Sequence, residues 1–515
     1  MKKIFIVIFI SMGLVSCSDD FVSRNSLTQI AEGNFWQSES DAFLALNGVY
    51  ASLQSGSLYG GSLNGWQGIP GFDGLGDNSF NNFKWEGPGK FMEGIENPTS
   101  GPIEAFWNDH YKGIARVNAV IKNVNEISVE LVSEETKKEL LGQAYFLRSL
   151  LYFNLAVFFE EVPLITAPQL LEDAFVAKNT YEEVTAQIAT DLKLAVAYLP
   201  VSHPSNLYGY ATKGAALGLF ARVQLYNKDF SGEFGVIALT NQLMGLGYSL
   251  HPNYSELFSE VGETSNEIVF AVRFLRGDNS GSGETFSGTY LGFPKGDLRP
   301  MPNLVNDYYC ADGLPISQSP LYDSNNKGAN RDPRANASVY FKGDQFMNEP
   351  VKIFKGNGPT KFGQRKYIRQ GPDAEGNAVF GQGSQDFHVI RYADVLLMKA
   401  EALAETGDVS GATDLVNQVR ARVGMPSVQD VEGAVNQQQM IDVVRHERRV
   451  EFAFEGSRFM DLKRWGTMQD AFQRVQSDPV GAYNPNYLER RSEVFPIPQS
   501  EIDVNPNLVQ NPVWQ

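Results

Sequence analysis

Apolar residues recur at steps of three and four in four separate blocks of the sequence, and this spacing gives an α-helix one apolar face. In the first block, residues 137–160, the apolar positions are Leu140, Ala144, Leu147, Leu151, Leu155 and Phe158. Pro163 follows, and a proline cannot continue a helix. The other blocks cover residues 180–199, 210–234 and 392–423. The pattern predicts a mainly α-helical fold.

The block at residues 392–423 contains two helical segments joined by the turn Thr406-Gly407-Asp408. Ala400 and Ala412 stand where the two helices are expected to cross, and small side chains there allow close approach. This arrangement is typical of a tetratricopeptide-type repeat. A generic helical hairpin is the alternative for any single block. Several such blocks in one chain favour a degenerate, interrupted repeat scaffold.

Two stretches of the chain break the helical pattern. Residues 56–101 contain a dozen glycines interspersed with aromatic residues, and residues 277–385 are rich in Gly, Pro, Asn and Asp with further Tyr and Phe. Such segments cannot form amphipathic helices. Because abundant aromatic residues argue against disorder, we expect long ordered loops and short strands laid over the helical scaffold.

The first residues have the features of an export signal. Lys2 and Lys3 precede a short apolar run, residues 4–10, which is too short to span a bilayer. The sequence Leu14-Val15-Ser16-Cys17 looks like a bacterial lipobox, whose cysteine receives lipid. An ordinary signal peptide that contains a cysteine is the alternative. We therefore expect residues 1–16 to be a signal peptide and residues 17–515, anchored through Cys17, to form one domain.

Composition excludes several classes of function. The chain has 60 Asp and Glu against 43 Lys and Arg, a net charge of -17, and this charge repels nucleic acid. Beyond Cys17 the sequence contains only Cys310, so neither an intramolecular disulfide nor a cysteine metal site is expected. We predict no cofactor and no metal.

The sequence motifs argue against an enzyme. His446-Glu447-Arg448-Arg449-Val450 begins like a zinc-protease motif but has Val where the second histidine ligand is required. Residues 323–328 open like a calcium loop, but Lys327 stands at the fifth ligand position. The sequence contains neither a Gly-x-Ser-x-Gly elbow nor a phosphate-binding loop. Paired carboxylates that meet only in space leave a surface glycoside hydrolase as an alternative.

Glu447, Glu451 and Glu455 are spaced four apart and are expected to share one face of a helix. An acid/base or metal site is one interpretation. The favoured interpretation is an ion-pair network that holds the C-terminal helix on the scaffold. The nearby cations that would form it are Arg445, Arg448, Arg458 and Arg464.

A longer run around these glutamates resembles the signature of the SusD/RagB family, nutrient-binding outer-membrane lipoproteins of Bacteroidetes. The run comprises residues 448–459, leading into residues 461–466. Further matches occur in the family's order at Asn34-Phe35-Trp36, Asp41-Ala42, Arg116-Val117-Asn118, Ala144-Tyr145-Phe146-Leu147-Arg148, Val162-Pro163-Leu164, Asp332-Pro333-Arg334, residues 391–402, Phe495-Pro496-Ile497-Pro498 and Gln510-Asn511-Pro512. The resemblance covers nearly the whole mature chain.

The resemblance implies four tetratricopeptide-like units that support a variable, loop-rich half. It also implies a partner, a SusC-like TonB-dependent transporter, over which the lipoprotein would capture a glycan and close to pass it inward. Ser18-Asp19-Asp20 resembles the acidic tag that directs such lipoproteins to the outer face of the outer membrane. Because some relatives handle peptides, a peptide- or protein-binding function is the alternative.

A glycan site needs planar rings for the C–H faces of sugars and polar side chains for their hydroxyl groups. The first loop-rich stretch supplies such a mixture, and the second supplies further candidates. The predicted ligand-binding residues are Trp66, Phe72, Asp73, Asp77, Asn78 and Trp85, followed by Tyr290, Arg299, Tyr308 and Tyr309. Local core packing is the alternative for the rings, and turn positions or a weak calcium site are the alternatives for Asp73 and Asp77.

Overall fold

A computed structural model of the chain describes residues 35–61, 68–81, 88–275, 283–287, 296, 298–347, 351–356, 358–368, 383–478, 480 and 484–515. Helices dominate this part of the chain, which confirms the predicted mainly α-helical fold. They are α1 (Glu39–Leu53), α2 (Gly89–Met92), α3 (Gly101–Glu126), α4 (Glu134–Phe159), α5 (Tyr181–Tyr198), α6 (Lys213–Tyr226), α7 (Val236–Met244), α8 (Pro302–Asp307), α9 (Pro333–Ser338), α10 (Tyr392–Glu405), α11 (Val409–Arg422), α12 (Val428–Glu432), α13 (Gln437–Glu451), α14 (Arg458–Trp465), α15 (Met468–Ser477) and α16 (Gln499–Val504).

The long helices pack against one another in nearly sequential order. Helix α1 packs on α3, α3 on α4, α4 on α5, α5 on α6 and α6 on α7. Helix α7 then packs on α10, which also contacts α11 and α13. Each helix thus buries its apolar face against its neighbours in the chain, as a repeat-like scaffold requires. The number of four tetratricopeptide-like units stays a prediction.

Helix α4 follows the predicted pattern and lies deepest in the scaffold. Its N-cap Ser133 accepts a hydrogen bond from the backbone N–H of Thr136, and Leu140, Ala144 and Leu147 are completely buried. The helix ends at Phe159, shortly before Pro163. Most of its other side chains are buried as well, because neighbouring helices and the C-terminal segment surround it.

The predicted hairpin at residues 392–423 is confirmed as the pair α10 and α11. Gly407 adopts φ +91°, a conformation that favours glycine, and so permits the tight turn between the helices. Asp408 caps α11 by accepting a hydrogen bond from the backbone N–H of Gly411. Ala400 and Ala412 are completely buried, as expected for residues at a helix crossing.

The strands of the described residues are short and pair two by two, antiparallel. They are β1 (Ser79–Asn81) with β3 (Leu298–Pro300), β2 (Ile268–Val272) with β8 (Phe387–Arg391), β4 (Val339–Tyr340) with β7 (Gly363–Gln364), and β5 (Gln345–Met347) with β6 (Lys352–Ile353). Pairing of β1 with β3 joins the two loop-rich stretches. The expectation of short strands within these stretches is therefore confirmed.

An aromatic cluster at the end of α4 joins four distant parts of the chain. The ring of Phe158 lies 4.9 Å from that of Phe72, 5.4 Å from Phe106, 5.5 Å from Phe459 and 5.0 Å from Phe495, measured between centroids. Phe72 belongs to a 3-10 turn, Ile69–Leu75, in the first loop-rich stretch. The cluster therefore packs that stretch and the C-terminal segment onto the helical scaffold.

Within the described part of the chain, no helix combines the length and the apolar composition needed to cross a membrane.

Phe158→Ala is expected to lower the free energy of unfolding by about 3–5 kcal/mol, because it leaves a cavity among four aromatic rings. Phe175→Ala is the matched control, since Phe175 is 50% exposed, and its effect is expected to stay within about 0.5 kcal/mol. Guanidinium unfolding followed by circular dichroism measures both variants. Equal effects for the two variants contradict the central position of the cluster.

Candidate functional site

The three glutamates of the C-terminal signature each face basic side chains from other parts of the chain. One oxygen of Glu447 accepts a hydrogen bond of 2.6 Å from Arg334, and the other accepts one of 2.9 Å from Arg420. Arg334 precedes α13 by more than a hundred residues, and Arg420 lies in α11. Glu447 therefore connects α13 to two separate elements.

Glu451 accepts from three guanidinium groups. These belong to Arg334 at 3.0 Å, Arg391 at 2.6 Å and Arg422 at 2.6 Å. Arg391 also contacts Glu455 at 2.7 Å and Glu267, next to β2, at 2.9 Å. One arginine at the end of β8 thus bridges α13, the segment after it and the start of β2.

The whole cluster is buried and balanced in charge. Its five carboxylates face five cations, and the ten residues are Glu267, Asp332, Glu447, Glu451 and Glu455 with Arg334, Lys366, Arg391, Arg420 and Arg422. No side chain of the ten is more than 5% exposed. We call this group the buried ion-pair network. It confirms the structural interpretation of the three glutamates.

Two details of the prediction were wrong. Glu455 lies beyond the end of α13 at Glu451, in a turn where Phe454 has φ +66°. The cations are not the predicted ones, because the glutamates pair with Arg334, Lys366, Arg391, Arg420 and Arg422 from other parts of the chain. The predicted arginines pair elsewhere: Arg445 with Glu405, Arg448 with Asp394 and Asp461, Arg458 with Asp77, and Arg464 with Glu401.

The electrostatics of the network do not suit acid/base catalysis. Burial alone would raise the pKa values of Glu447, Glu451 and Glu455, but the adjacent guanidinium and ammonium groups hold all three pKa values below the ordinary range. These carboxylates therefore stay ionised. Burial lowers the pKa of Lys366 to about 8, and Glu455 opposes that shift. None of these side chains is accessible to a large substrate.

Phe72, Asp73, Asp77 and Asn78 lie in the interior. Phe72 is completely buried in the aromatic cluster, so it is not an exposed platform for a ligand. Asp73 accepts hydrogen bonds from the side-chain amide of Asn78 at 2.7 Å and from the backbone N–H of Gly456 at 2.7 Å. These residues connect the first loop-rich stretch to the segment that follows α13, which corrects their assignment to an exposed ligand surface.

Asp77 faces three arginines. Its carboxylate contacts Arg458 at 2.7 Å, Arg474 at 2.7 Å and Arg449 at 3.1 Å. Burial raises the pKa of Asp77, but the three guanidinium groups outweigh that effect and hold the pKa well below its usual value. A calcium ion would be repelled there, so the calcium alternative is wrong for Asp77. Among the described residues, no group of three or more His, Cys, Asp and Glu is placed to hold a metal ion.

The second loop-rich stretch contributes one partly exposed candidate among its described residues. Arg299 is buried in β3, opposite Phe80 of β1, and Tyr308 is completely buried in a small apolar core with Leu304. Their burial corrects the prediction that they are exposed to a ligand. Tyr309 is half-buried, and its ring stacks on His446 with the centroids 4.2 Å apart.

Trp66, Trp85, Tyr290 and the predicted lipid-anchor residue Cys17 lie outside the described residues. The described residues that flank the first three are close to one another. The carbonyl of Gly60 accepts a hydrogen bond of 2.7 Å from the backbone N–H of Thr285, and Asn81 pairs with Leu298 in the β1–β3 ladder. The residues before the segment that contains Trp66 therefore contact those before the segment that contains Tyr290, and the residue before the segment that contains Trp85 pairs with one that follows the Tyr290 segment.

Three tyrosines that the sequence analysis did not single out line a surface groove. They are Tyr208, Tyr210 and Tyr248, and Arg273 and Asp386 lie beside them. The sequence contains one signal for two of them, because the run Tyr208-Gly209-Tyr210 places two rings around a glycine just where the periodic block at residues 210–234 begins. Rings in such a turn are free of the helical apolar face and so available to line a groove.

Comparisons with known proteins agree with this architecture. A model of the SusD family matches residues 266–514, and a second model, described as starch-binding associating with outer membrane, matches residues 73–225. SusD-like protein P2 of Formosa agariphila is 26% identical, over 99% of this chain and 98% of its own length.

Two solved structures from Bacteroides fragilis also match over nearly their full length. A SusD-like protein has a TM-score of 0.78 and 25% identity, covering 95% of this chain and 100% of its own. A SusD-like carbohydrate binding protein has a TM-score of 0.77 and 28% identity, covering 92% of this chain and 100% of its own.

Arg391→Met is expected to lower the free energy of unfolding by about 3–5 kcal/mol, because it leaves buried carboxylates without a partner. Lys112→Met is the control, since it breaks the ion pair with Asp109, in which Lys112 is 68% exposed, and the expected loss is below about 1 kcal/mol. Chemical denaturation of both variants measures the difference. A loss for Arg391→Met as small as that of the control argues against the network as a structural element.

The network also predicts a loss of stability in acid. Because Glu447, Glu451 and Glu455 have lowered pKa values in the folded chain, the stabilisation they contribute is present above the ordinary glutamate pKa, about 4.3. It is lost as the pH falls through the lower folded-state values. The free energy of unfolding, measured by urea titration between about pH 7 and pH 3, is expected to fall below about pH 4. In Glu451→Gln that fall is expected to be shallower, whereas in the exposed variant Glu130→Gln it should match the wild type.

Proposed function

The chain belongs to the SusD/RagB family, and we propose that it is a glycan-binding lipoprotein of the outer membrane that passes its ligand to a TonB-dependent transporter. The observation that carries the proposal is the match to the SusD-like carbohydrate binding protein of B. fragilis over 92% of this chain. The description of the second family model, starch-binding associating with outer membrane, supports both the ligand class and the membrane.

The ligand site that we propose lies in the loop-rich half and includes Trp66 and Trp85, with Tyr290 as a further candidate. Two described contacts support it, since Gly60 with Thr285 and Asn81 with Leu298 bring the flanks of these segments together. Indole and phenol rings suit the C–H faces of sugars, and burial of apolar ring area supplies most of the favourable free energy, at about 25 cal/mol per Å².

The rigidity of the surrounding structure favours binding. Phe72 and Asp77 fix the first loop-rich stretch to the scaffold through the aromatic cluster and through ion pairs with the buried Arg449 and Arg458 and the partly exposed Arg474. A loop whose base is already ordered loses less conformational entropy when a ligand binds. The Asp77 carboxylate is already paired with three arginines, so it is not available as a catalytic acid or base. This pairing favours a binding protein over a hydrolase.

We propose that the partner is a SusC-like transporter and that lipid on Cys17 anchors the protein at the cell exterior. Several acyl chains on one cysteine would hold it stably, whereas a single chain gives marginal binding. Anchoring in the same membrane as the transporter raises the local concentration of the binding protein at the barrel, so that transfer of the glycan does not depend on diffusion through the medium.

The function is tested by affinity gel electrophoresis in amylopectin, laminarin, xylan and pectin. At least one polysaccharide is expected to retard the purified protein, and no reducing ends should be released from it. Trp66→Ala and Trp85→Ala are each expected to weaken binding about tenfold, because each removes a ring of the proposed site. Trp514→Ala is the matched control, since this tryptophan lies in the C-terminal turn, where its indole N–H donates to the carbonyl of Val494.

Three results of this experiment would contradict the proposal in different ways. Absence of retardation in all four polysaccharides contradicts glycan binding by this chain at those conditions and favours a peptide ligand. Steady release of reducing ends supports a hydrolase instead. Retardation that neither tryptophan variant weakens contradicts the site but leaves the function standing.

A further inference from the structure

A groove lies on the described surface next to the loop-rich half. It consists of two adjoining cavities of about 350 Å³ and 380 Å³, which share Tyr208, Gly209, Tyr210, Phe270, Ala271 and Arg273 among their lining residues. Tyr248 and Asp386 line the first cavity, and Gln54 and Leu275 line the second. We call it the tyrosine groove. Sites for small molecules have typical volumes of about 300–1,000 Å³.

The rings of the groove are held in place by contacts within the protein. Tyr208 is 43% exposed, its hydroxyl donates to the carbonyl of Glu263, and the guanidinium carbon of Arg273 lies 4.6 Å from its ring centroid. Tyr210 packs edge to face on Tyr50 at 5.2 Å. The rings are therefore ordered before any ligand arrives, which lowers the entropic cost of binding.

Two glycines are required by this arrangement. Gly209 has φ +104°, and a Cβ atom there would lie 2.5 Å from Cδ of Arg273. A Cβ atom on Gly214 would lie 2.4 Å from the hydroxyl of Tyr248, which also bonds to the hydroxyl of Thr212 at 3.0 Å. The backbone at both positions makes room for a side chain of the groove.

The charges of the groove favour a neutral ligand. Among the described residues that line it, Arg273 and Asp386 are the only ionisable ones apart from His203 and the tyrosines. These two pair with each other, since Nε of Arg273 lies 3.0 Å from Oδ2 of Asp386, while Oδ1 accepts from the backbone N–H of Phe274. The other polar lining groups, such as those of Asn266 and Thr264, are neutral amides and hydroxyls.

The groove also adjoins the described base of the loop-rich half. Gln54 donates a hydrogen bond of 2.7 Å to the carbonyl of Arg273, and the chain from Gln54 leads within a few residues to Gly60, which bonds Thr285. Leu275, 66% exposed, is the last described residue before the segment leading to Thr285. The groove therefore lies beside the described residues that precede the segment containing Trp66.

We propose that the tyrosine groove is a second contact region for the same glycan, taking sugar units beyond those held in the loop-rich half. This inference rests on the proposed function, because it assumes that the ligand is a glycan. The partly exposed rings of Tyr208, Tyr210 and Tyr248 would lie against sugar faces, and the neutral polar groups would bond the hydroxyls. Affinity should then rise with the length of the oligosaccharide.

The test compares a trisaccharide and a heptasaccharide, prepared from whichever polysaccharide among amylopectin, laminarin, xylan and pectin retards the wild type most. Isothermal titration calorimetry is expected to show the heptasaccharide binding at least about fivefold more tightly than the trisaccharide. The double variant Tyr208→Ala with Tyr248→Ala should lose this length advantage while its affinity for the trisaccharide stays unchanged.

Two variants serve as controls for this experiment. Tyr208→Phe with Tyr248→Phe keeps both rings and should keep the length advantage, and Tyr322→Ala removes a tyrosine that lines neither cavity. Circular dichroism verifies that each variant is folded. If the alanine double variant retains the length advantage, or if it loses affinity for both oligosaccharides equally, the inference is overturned.

The outcomes separate this inference from the proposed function. A wild type that binds no polysaccharide overturns both. A wild type that binds, with Trp66→Ala weakening both oligosaccharides and the groove variant weakening neither, overturns the groove alone. The groove variants could instead keep full glycan affinity and lose binding to the purified transporter. That result identifies the tyrosine groove as a protein interface and also overturns the inference.

Discussion

The rest of the structure depends on the buried ion-pair network, whose charged side chains are shielded from water. Arg391 bonds Glu267, Glu451 and Glu455, which are separated from it by 124, 60 and 64 residues in the chain. A charged side chain that is buried away from water is stable only when a partner of opposite charge lies at hydrogen-bond distance. The ends of β8 and α13, the start of β2 and the segment after α13 must therefore come together in one arrangement. The scaffold and the loop-rich half share this common base.

A second set of buried contacts fixes the loop-rich half to that base. Asp77, from the first loop-rich stretch, contacts Arg449 of α13 and Arg458 of α14, and Phe72 packs on Phe158 of α4. Residues in glycine-rich segments gain a defined position in this way, since the interior contacts offset the entropy of ordering the loops.

Sequence patterns predicted the scaffold well because helical periodicity is local. The spacing of Leu140, Ala144 and Leu147 is sufficient to place a buried helix face, and Gly407 marks a turn through its own backbone conformation. The candidate site was predicted less well. A glycine-rich stretch has no regular spacing of apolar residues that would distinguish a ring facing solvent from a ring facing the core. The sequence therefore predicted Phe72 at the surface, although it is buried.

By itself the sequence determined that the chain is mainly helical, that two stretches leave the helical pattern, and that three glutamates near the C-terminus need cations. Each of these follows from interactions between residues close in the chain. Only the tertiary structure decided which cations answer those glutamates, that Asp77 is neutralised by three arginines, and that Tyr208, Tyr210 and Tyr248 form a groove. The partners of buried charges and rings are determined by packing between residues that are distant in the sequence. The spacing of residues along the chain therefore does not predict them.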